Sequence, residues 1–389
     1  MVTGHQGCRR TASLVFVLGL LALTPGAAFQ AAPNGPLGYW PGDDGASPAL
    51  AVDASGNGNP GTYTNGATTD SASTAPLTFP NPSSMSFSGG TDCVSIPTFS
   101  WPTGGPVTVS YWTFVASADV KNSSSFSVGN MDVPNRFQAH CPWGDGNIYW
   151  DYGTATVGSG RVSTSYTAYL DAWTHVALVS EGTGGTFQAI YLNGTQAVSV
   201  ATSSGPTVAL SGATIGGWPS GSFVKGLIDD FRIYGRVLSP QEIAALAAGA
   251  SGPAAATGLS ATAGNAQVSL TWTASTGPGN VTYTVGRSTV SGGSPAGMYA
   301  TIATGLSAAN YIDTTATNGT RYFYVVYAES FGPGAASNEA SATPAASGVS
   351  PLAGGRGESN CHASAASTAG VAPFVGGLIV LALLLVRRR

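Results

Sequence analysis

The stretch Gly226-Leu-Ile-Asp-Asp-Phe-Arg-Ile-Tyr-Gly-Arg-Val-Leu-Ser-Pro-Gln-Glu-Ile243 holds two elements and the joint between them. Its first half is an apolar run of β-type residues carrying two adjacent carboxylates, Asp229 and Asp230. Neighbours on a strand point to opposite faces, so these two are expected to diverge. Gly235 marks a turn. After it Ser239 can cap a helix, Pro240 suits the first helical position, where no amide hydrogen is needed, and Glu242 can reach back to the cap. The stretch predicts a buried strand feeding a short helix that ends near Gly249.

Strand patterns recur upstream. Val107-Thr-Val-Ser-Tyr-Trp-Thr-Phe-Val115 alternates and reads as a central strand. Trp173 to Val179 is another, Ile190-Tyr-Leu-Asn-Gly194 is a strand entering a turn, and Ile215-Gly-Gly is a short apolar stop. Ser84 to Ser88 and Asp92 to Ile96 add two more. The composition agrees: of 389 residues only 8% are charged, while 54 are Gly and 24 are Pro. Short Val/Thr/Tyr/Ser runs between Gly, Asn and Pro are all-β grammar. An apolar content of 43% supplies a packed core, which excludes wholesale disorder.

Five of the 14 basic residues, Arg9, Arg10 and Arg387 to Arg389, lie in the end segments, and none of the 18 acidic ones does, so the middle of the chain carries −9 rather than −4. An acidic body without a Lys/Arg patch excludes nucleic acid as the expected partner. Residues 1–28 read as a secretory signal: Arg9 and Arg10, an apolar core from Leu14 to Leu23, then small residues at Gly26-Ala27-Ala28. An uncleaved anchor is the alternative. At the other end Val371 to Val386 is sixteen uncharged residues followed at once by three arginines. As a helix it would span about 24 Å, slightly short of a ~30 Å hydrocarbon core, with the arginines on the cytoplasmic side. The tail resembles bacterial C-terminal sorting tails, which implies a body displayed outside the cell, tethered by its C-terminus.

Taken together, Gly38-Tyr39-Trp40, the loop Asp53-Ala-Ser-Gly-Asn-Gly-Asn-Pro-Gly61, Trp173 to His175, Tyr191 to Gly194 and Gly226 to Ile243 resemble the laminin-G-like, concanavalin A-like jelly-roll family. After a small-residue linker at 251–256, residues 257–344 resemble a fibronectin type III domain. Val268-Ser-Leu-Thr-Trp272 alternates there, and Gly319-Thr-Arg-Tyr-Phe-Tyr-Val-Val-Tyr-Ala328 puts Tyr322, Tyr324, Val326 and Ala328 on one face, with Trp272 in the core and Tyr322 as the corner tyrosine. No Arg-Gly-Asp tripeptide is present. The expected fold is all-β: a two-sheet jelly roll over 33–250 and a smaller immunoglobulin-like (fibronectin III) sandwich, then a flexible Ala/Ser/Gly stalk over 345–370 and an apolar helix at 371–389, mirrored by the apolar helix of the signal.

The laminin-G resemblance implies a structural calcium site, with Asp53 and Asp229 carried over as ligands and Asn57 and Asp230 beside them. Calcium takes six to eight oxygens, and the Asp53 loop offers carboxylate, amide and carbonyl oxygens. An Asx turn at Asp53 and a strand cap at Asp229 are the alternative uses. Cys93 and Cys141 share a domain outside the cytoplasm, which predicts a disulfide between them. Cys361 stands alone beside the tail.

Residues 117–165 hold a density of polar and aromatic side chains beyond what turns need: Asn130, Asp132, Arg136, His140, Trp143, Asp145, Tyr149, Trp150 and Asp151. Ligand-contacting loops are expected there, against the alternative of ordinary edge strands. His175, in a strand, is expected to be structural. Glycoside hydrolysis is the sharpest enzymatic alternative, since folds of this type host it. It needs a carboxylate pair about 5–9 Å apart. The first domain has only Glu181 and Glu242, neither with a same-face partner, and no Ser/His/Asp order or zinc spacing is evident. The expected function is non-catalytic binding of carbohydrate or of an extracellular protein, with a purely structural envelope role as the alternative.

Overall fold

The structure, a computed structural model, describes residues 35–346 apart from 47, 130–131, 157–158, 219–220 and 294–298. The signal, the stalk with Cys361 and both apolar end segments lie outside the described residues. No described helix is long and apolar enough to cross a membrane.

The decisive stretch folds as read. Lys225–Tyr234 is a strand at the centre of an eight-stranded antiparallel sheet, and Pro240–Ala247 is an α-helix. Ser239 Oγ accepts the Glu242 amide while the Glu242 carboxylate accepts the Ser239 amide, a reciprocal capping box. Gly249 then takes φ +76°, which glycine adopts without strain. The opening strand Gly38–Trp40 lies against this closing strand, with Tyr39 opposite Arg232 and Trp40 opposite Phe231. Residues almost two hundred positions apart thus become neighbours and close the sandwich.

This first sheet runs, strand by strand, Thr195–Val200, Gln188–Leu192, Thr174–Ser180, Val107–Phe114, Lys225–Tyr234, Ser84–Ser88, Thr68–Asp70. The second runs Arg161–Ser165, Asn147–Gly153, Arg136–His140, Phe126–Val128, Leu210–Ile215, Cys93–Trp101, Gly61–Thr64, Leu50–Ala51. Their inner faces meet in an aromatic core that includes Trp40, Trp101, Tyr111, Phe126, Phe137, Trp150 and Phe231. Many of these rings meet edge to face, as Phe126 does with Phe137 at 5.9 Å and 87°.

The outer face of the first sheet is covered. Ile243 and Leu246 of the helix pack on Ala177, Val179, Ala189 and Tyr191, and Phe331 of the following β unit joins that cluster. Residues 257–342 form this smaller sandwich. Its three-stranded sheet is Thr257–Ala263, Val268–Thr273, Asn310–Asp313, and its five-stranded sheet is built around Tyr322–Glu329. Trp272, Tyr322, Tyr324, Val326 and Ala328 are in its core. The Tyr322 hydroxyl accepts the Thr317 amide at 3.2 Å, which closes the corner.

Two local expectations need correction. Asp229 and Asp230 do not simply alternate: the register with Val107–Phe114 shifts between Asp229 and Arg232, and Asp230 takes φ +51°. A bulge here frees the Asp230 carboxylate to bond Arg232, two residues on, at 2.9 Å. Nor do Cys93 and Cys141 form a disulfide. Cys93 and Cys141 are both buried thiols. In the second sheet Cys93–Trp101 is three strand positions from Arg136–His140. At ~4.8 Å per strand that is about 14 Å, against the ~7 Å limit between bridged Cα atoms. The Cys93 thiol bonds Thr64 instead, and burial pushes the Cys141 thiol up to about 12.

Candidate functional site

The structure assigns the oxygens of the expected calcium ligands to partners within the protein. Asp53 Oδ1 accepts the amides of Tyr39 and Ser55, and Oδ2 accepts that of Asn59. The carboxylate is the organiser of its own loop, tying it to the opening strand. Asn57 donates its amide to Pro36 O and Ser55 Oγ. Asp230 is committed to Arg232, whose guanidinium stacks 4.3 Å from the Tyr39 ring. Asp229 Oδ2 accepts from Ala75 and Asn81, while Asp229 Oδ1 and Asn81 Oδ1 are buried without a partner among the described residues. These bonds give Asp53, Asn57, Asp229 and Asp230 each a partner within the protein. Two orphan oxygens at Asp229 and Asn81 are far fewer than the six to eight that calcium takes. Among the described residues no group of three or more His, Cys, Asp or Glu could hold a metal ion. His175 is buried and bonds Ser110 at 2.9 Å, a structural role.

The outer face of the second sheet carries the polar residues of the 117–165 region. In Asn147–Gly153, Ile148, Trp150 and Tyr152 enter the core, so Tyr149 and Asp151 face outward. The register then sets a row across four strands: Arg161 opposite Asp151, Asp151 opposite Gln138, Gln138 opposite Ser127. One step along, His140 stands opposite Tyr149.

Asp151 is fully buried, and its oxygens are all engaged. Arg161 Nε donates to Oδ1 at 2.5 Å and Arg161 Nη2 to Oδ2 at 2.6 Å, while Arg136 Nη1 and Gln138 Nε2 also donate to Oδ2. A buried carboxylate this well paired positions two guanidiniums rather than reacting. Gln138 Nε2 also donates to His140 Nε2 at 3.1 Å, which makes Nδ1 the protonated nitrogen, donating to Ser124 Oγ at 2.9 Å. Burial lowers the His140 pKa to about 4, so the ring is neutral.

Above this floor is a cavity of about 330 Å³ lined by Arg136, His140, Trp143, Asp145, Tyr149, Arg161 and Trp218. Trp143 lies 4.4 Å from the His140 ring, and the Arg161 guanidinium sits 4.9 Å over Tyr149. At the rim, Asp145 accepts the Tyr149 hydroxyl at 2.6 Å, and that bond holds its carboxyl below the usual range. Flat rings beside a fan of hydrogen-bond donors and one acceptor can pack against the face of a small ring and bond polar groups around its edge.

Residues 88–244 match the concanavalin A-like lectin/glucanases superfamily. Its jelly roll thus contributes both the cavity and the face on which the cavity lies. No curated protein matches the chain. Among solved structures, a Fn3-like protein from Clostridium thermocellum is 42% identical and is matched over its whole length, covering 25% of this chain at a TM-score of 0.21. Domain 4 of an extracellular arabinanase from Geobacillus stearothermophilus, solved with arabinotriose, is 19% identical, with 55% of this chain and 98% of that one covered at a TM-score of 0.39. A sialidase from Trypanosoma rangeli is 17% identical, with 54% of this chain and 32% of that one covered at 0.38.

Of the residues singled out in the sequence, Arg136, His140, Trp143, Asp145 and Tyr149 line the cavity and Asp151 underlies it. Trp150 does not belong with them: it is a core residue. Asp132 lines a separate groove with Ser95, Ser127 and Leu210, and Asn130 lies outside the described residues. Arg161 and Trp218 were missed. Alternation in Arg161-Val-Ser-Thr-Ser165 could have placed Arg161 on the outer face. Trp218 follows two glycines in a loop, and no periodic signal reaches it.

Proposed function

We propose that this chain is an exported, non-catalytic binding protein whose jelly roll takes carbohydrate in the cavity between Trp143, Tyr149 and Trp218, with the smaller sandwich as spacer. The observation that carries this is the combination, on one outer sheet face, of three aromatic side chains with two arginines whose hydrogens are not all spent. Support for a binding rather than hydrolytic role is the state of the carboxylates: Asp151 is saturated, and Asp145 is held ionised by Tyr149, so neither is poised as a general acid. Support for export is sequence alone: Arg9 and Arg10, the apolar run after them, and the apolar tail before Arg387 to Arg389, which would tether the body to a membrane.

The test is a glycan array probed with the full chain, followed by calorimetry on the best ligand. Trp143→Ala is expected to weaken binding about tenfold or more, the cost of losing a well-packed aromatic contact. An array with no hits, or Trp143→Ala binding like wild type, overturns the proposal; no hits at all would favour a structural envelope role.

A further inference from the structure

We propose that the ligand of this cavity bears a carboxylate, so that the preferred saccharides are acidic sugars rather than neutral ones. This rests on the carbohydrate reading above. It comes from how the two guanidiniums are spent. Arg161 meets Asp151 through Nε and Nη2, the side-on pairing, at 2.5 and 2.6 Å. That leaves the opposite edge, formed by Nη1 and the second hydrogen of Nη2, with no acceptor among the described residues. This end-on edge has the two parallel N–H groups that fit one carboxylate bidentately. Arg136 spends one Nη1 hydrogen on Asp151 at 3.2 Å, and no described residue accepts from its Nη2.

Charge points the same way. Two guanidiniums face one buried carboxylate, so the floor carries an excess of one positive charge. Both side chains are partly exposed, 24% for Arg136 and 21% for Arg161, so a ligand can reach them. His140 contributes no charge at neutral pH. Asp145 is the remaining ionised group on the wall. It is exposed at the rim and already accepts from Tyr149 and Asn147, so water and salt screen it more than the floor. A sugar carboxylate would seat on the floor, with its ring against the aromatic wall and its hydroxyls toward Asp145.

The experiment uses the full chain and oligosaccharides ending in a uronic or sialic acid, each measured beside its methyl ester. The ester keeps every hydroxyl and removes only the charge. The acid is expected to bind at least tenfold tighter than its ester at 20 mM salt, with the ratio falling at 300 mM. Arg136→Gln is expected to narrow the ratio at least threefold, and Arg136→Lys less than that. The acid–ester comparison is made on wild type, so a misfolded variant does not decide the outcome. Equal binding of acid and ester, or tighter binding of the ester, overturns the carboxylate inference and leaves the carbohydrate proposal standing. No binding of either form, with neutral glycans also silent, overturns both.

Discussion

Asp53 and Glu329 show how the hydrogen bonds a carboxylate finds decide what it does for stability. Asp53 gathers three backbone amides, so removing it leaves donors unsatisfied in a loop that anchors the opening strand. Asp53→Ala is expected to cost about 2–3 kcal/mol in urea unfolding, with or without a chelator. Chelator alone is expected to leave the melting temperature of the wild type unchanged; a fall of several degrees would mean that a cation completes the orphan oxygens of Asp229 and Asn81. Glu329 is the reverse case. It is buried in the smaller sandwich with Oε2 unpartnered, and burial pushes its pKa up to about 7. Its folded pKa lies above the unfolded one, so its protonated form favours folding. That contribution is complete below about pH 4.5 and is lost as the pH rises through 7. Glu329→Gln should therefore match wild type near pH 4.5 and exceed it by about 2–3 kcal/mol at pH 8.5. Unfolding curves at the two pH values check this; an equal difference at both would put the carboxylate in water.

At the scale of elements, the sequence was most legible where local chemistry and periodicity agree. The capped helix is the clearest case, since Ser239, Pro240 and Glu242 act within four residues of one another and all three roles are realised. Ser239→Ala is expected to cost about 1 kcal/mol. Glu242→Ala should cost about 2–3 kcal/mol, because the Glu242 carboxylate also pairs with Arg236 at 2.7 Å and is almost fully buried. Their double variant should lose less than the sum, since both break the same capping box. Urea denaturation of the three variants tests this, and strict additivity would show that the two side chains act separately. Cross-strand register was not legible. Nothing local in Cys93 or Cys141 says how many strands separate them, which is why the disulfide expectation failed. The same gap hid the row from Ser127 to Arg161: each residue alternates visibly in its own strand, but their alignment is a property of the sheet. The bulge at Asp230 is a further instance, set by the fit of two strands rather than by the Asp-Asp pair itself.

For the molecule as a whole, the junction between jelly roll and smaller sandwich is the feature that neither domain pattern foretold, because each pattern describes one core. Phe331, from the smaller sandwich, is fully buried against Tyr234, Leu238 and Leu246. The Tyr234 hydroxyl donates to Phe331 O at 2.5 Å, Ser330 Oγ lies 3.3 Å from Glu242 Oε1, and Arg232 Nη1 donates to Ser251 O at 3.1 Å. A linker of small residues alone would let the units tumble independently. The first two contacts tie the smaller sandwich to the helix and central strand of the larger one, on the face opposite the cavity, and the third holds the start of the linker. The full chain is therefore expected to show a single calorimetric transition for the two sandwiches, with van't Hoff and calorimetric enthalpies equal. Phe331→Ala removes the shared ring, at about 3–5 kcal/mol for a buried phenylalanine. Much of that cost falls on the coupling between units, so the variant should split the transition in two while each core still melts cooperatively. Two transitions already present in wild type would show that the junction is too weak to couple the domains. A single, merely lowered transition in the variant would show that coupling survives through the Tyr234 and Glu242 bonds, and Tyr234→Phe in the same background would then be the change that splits it.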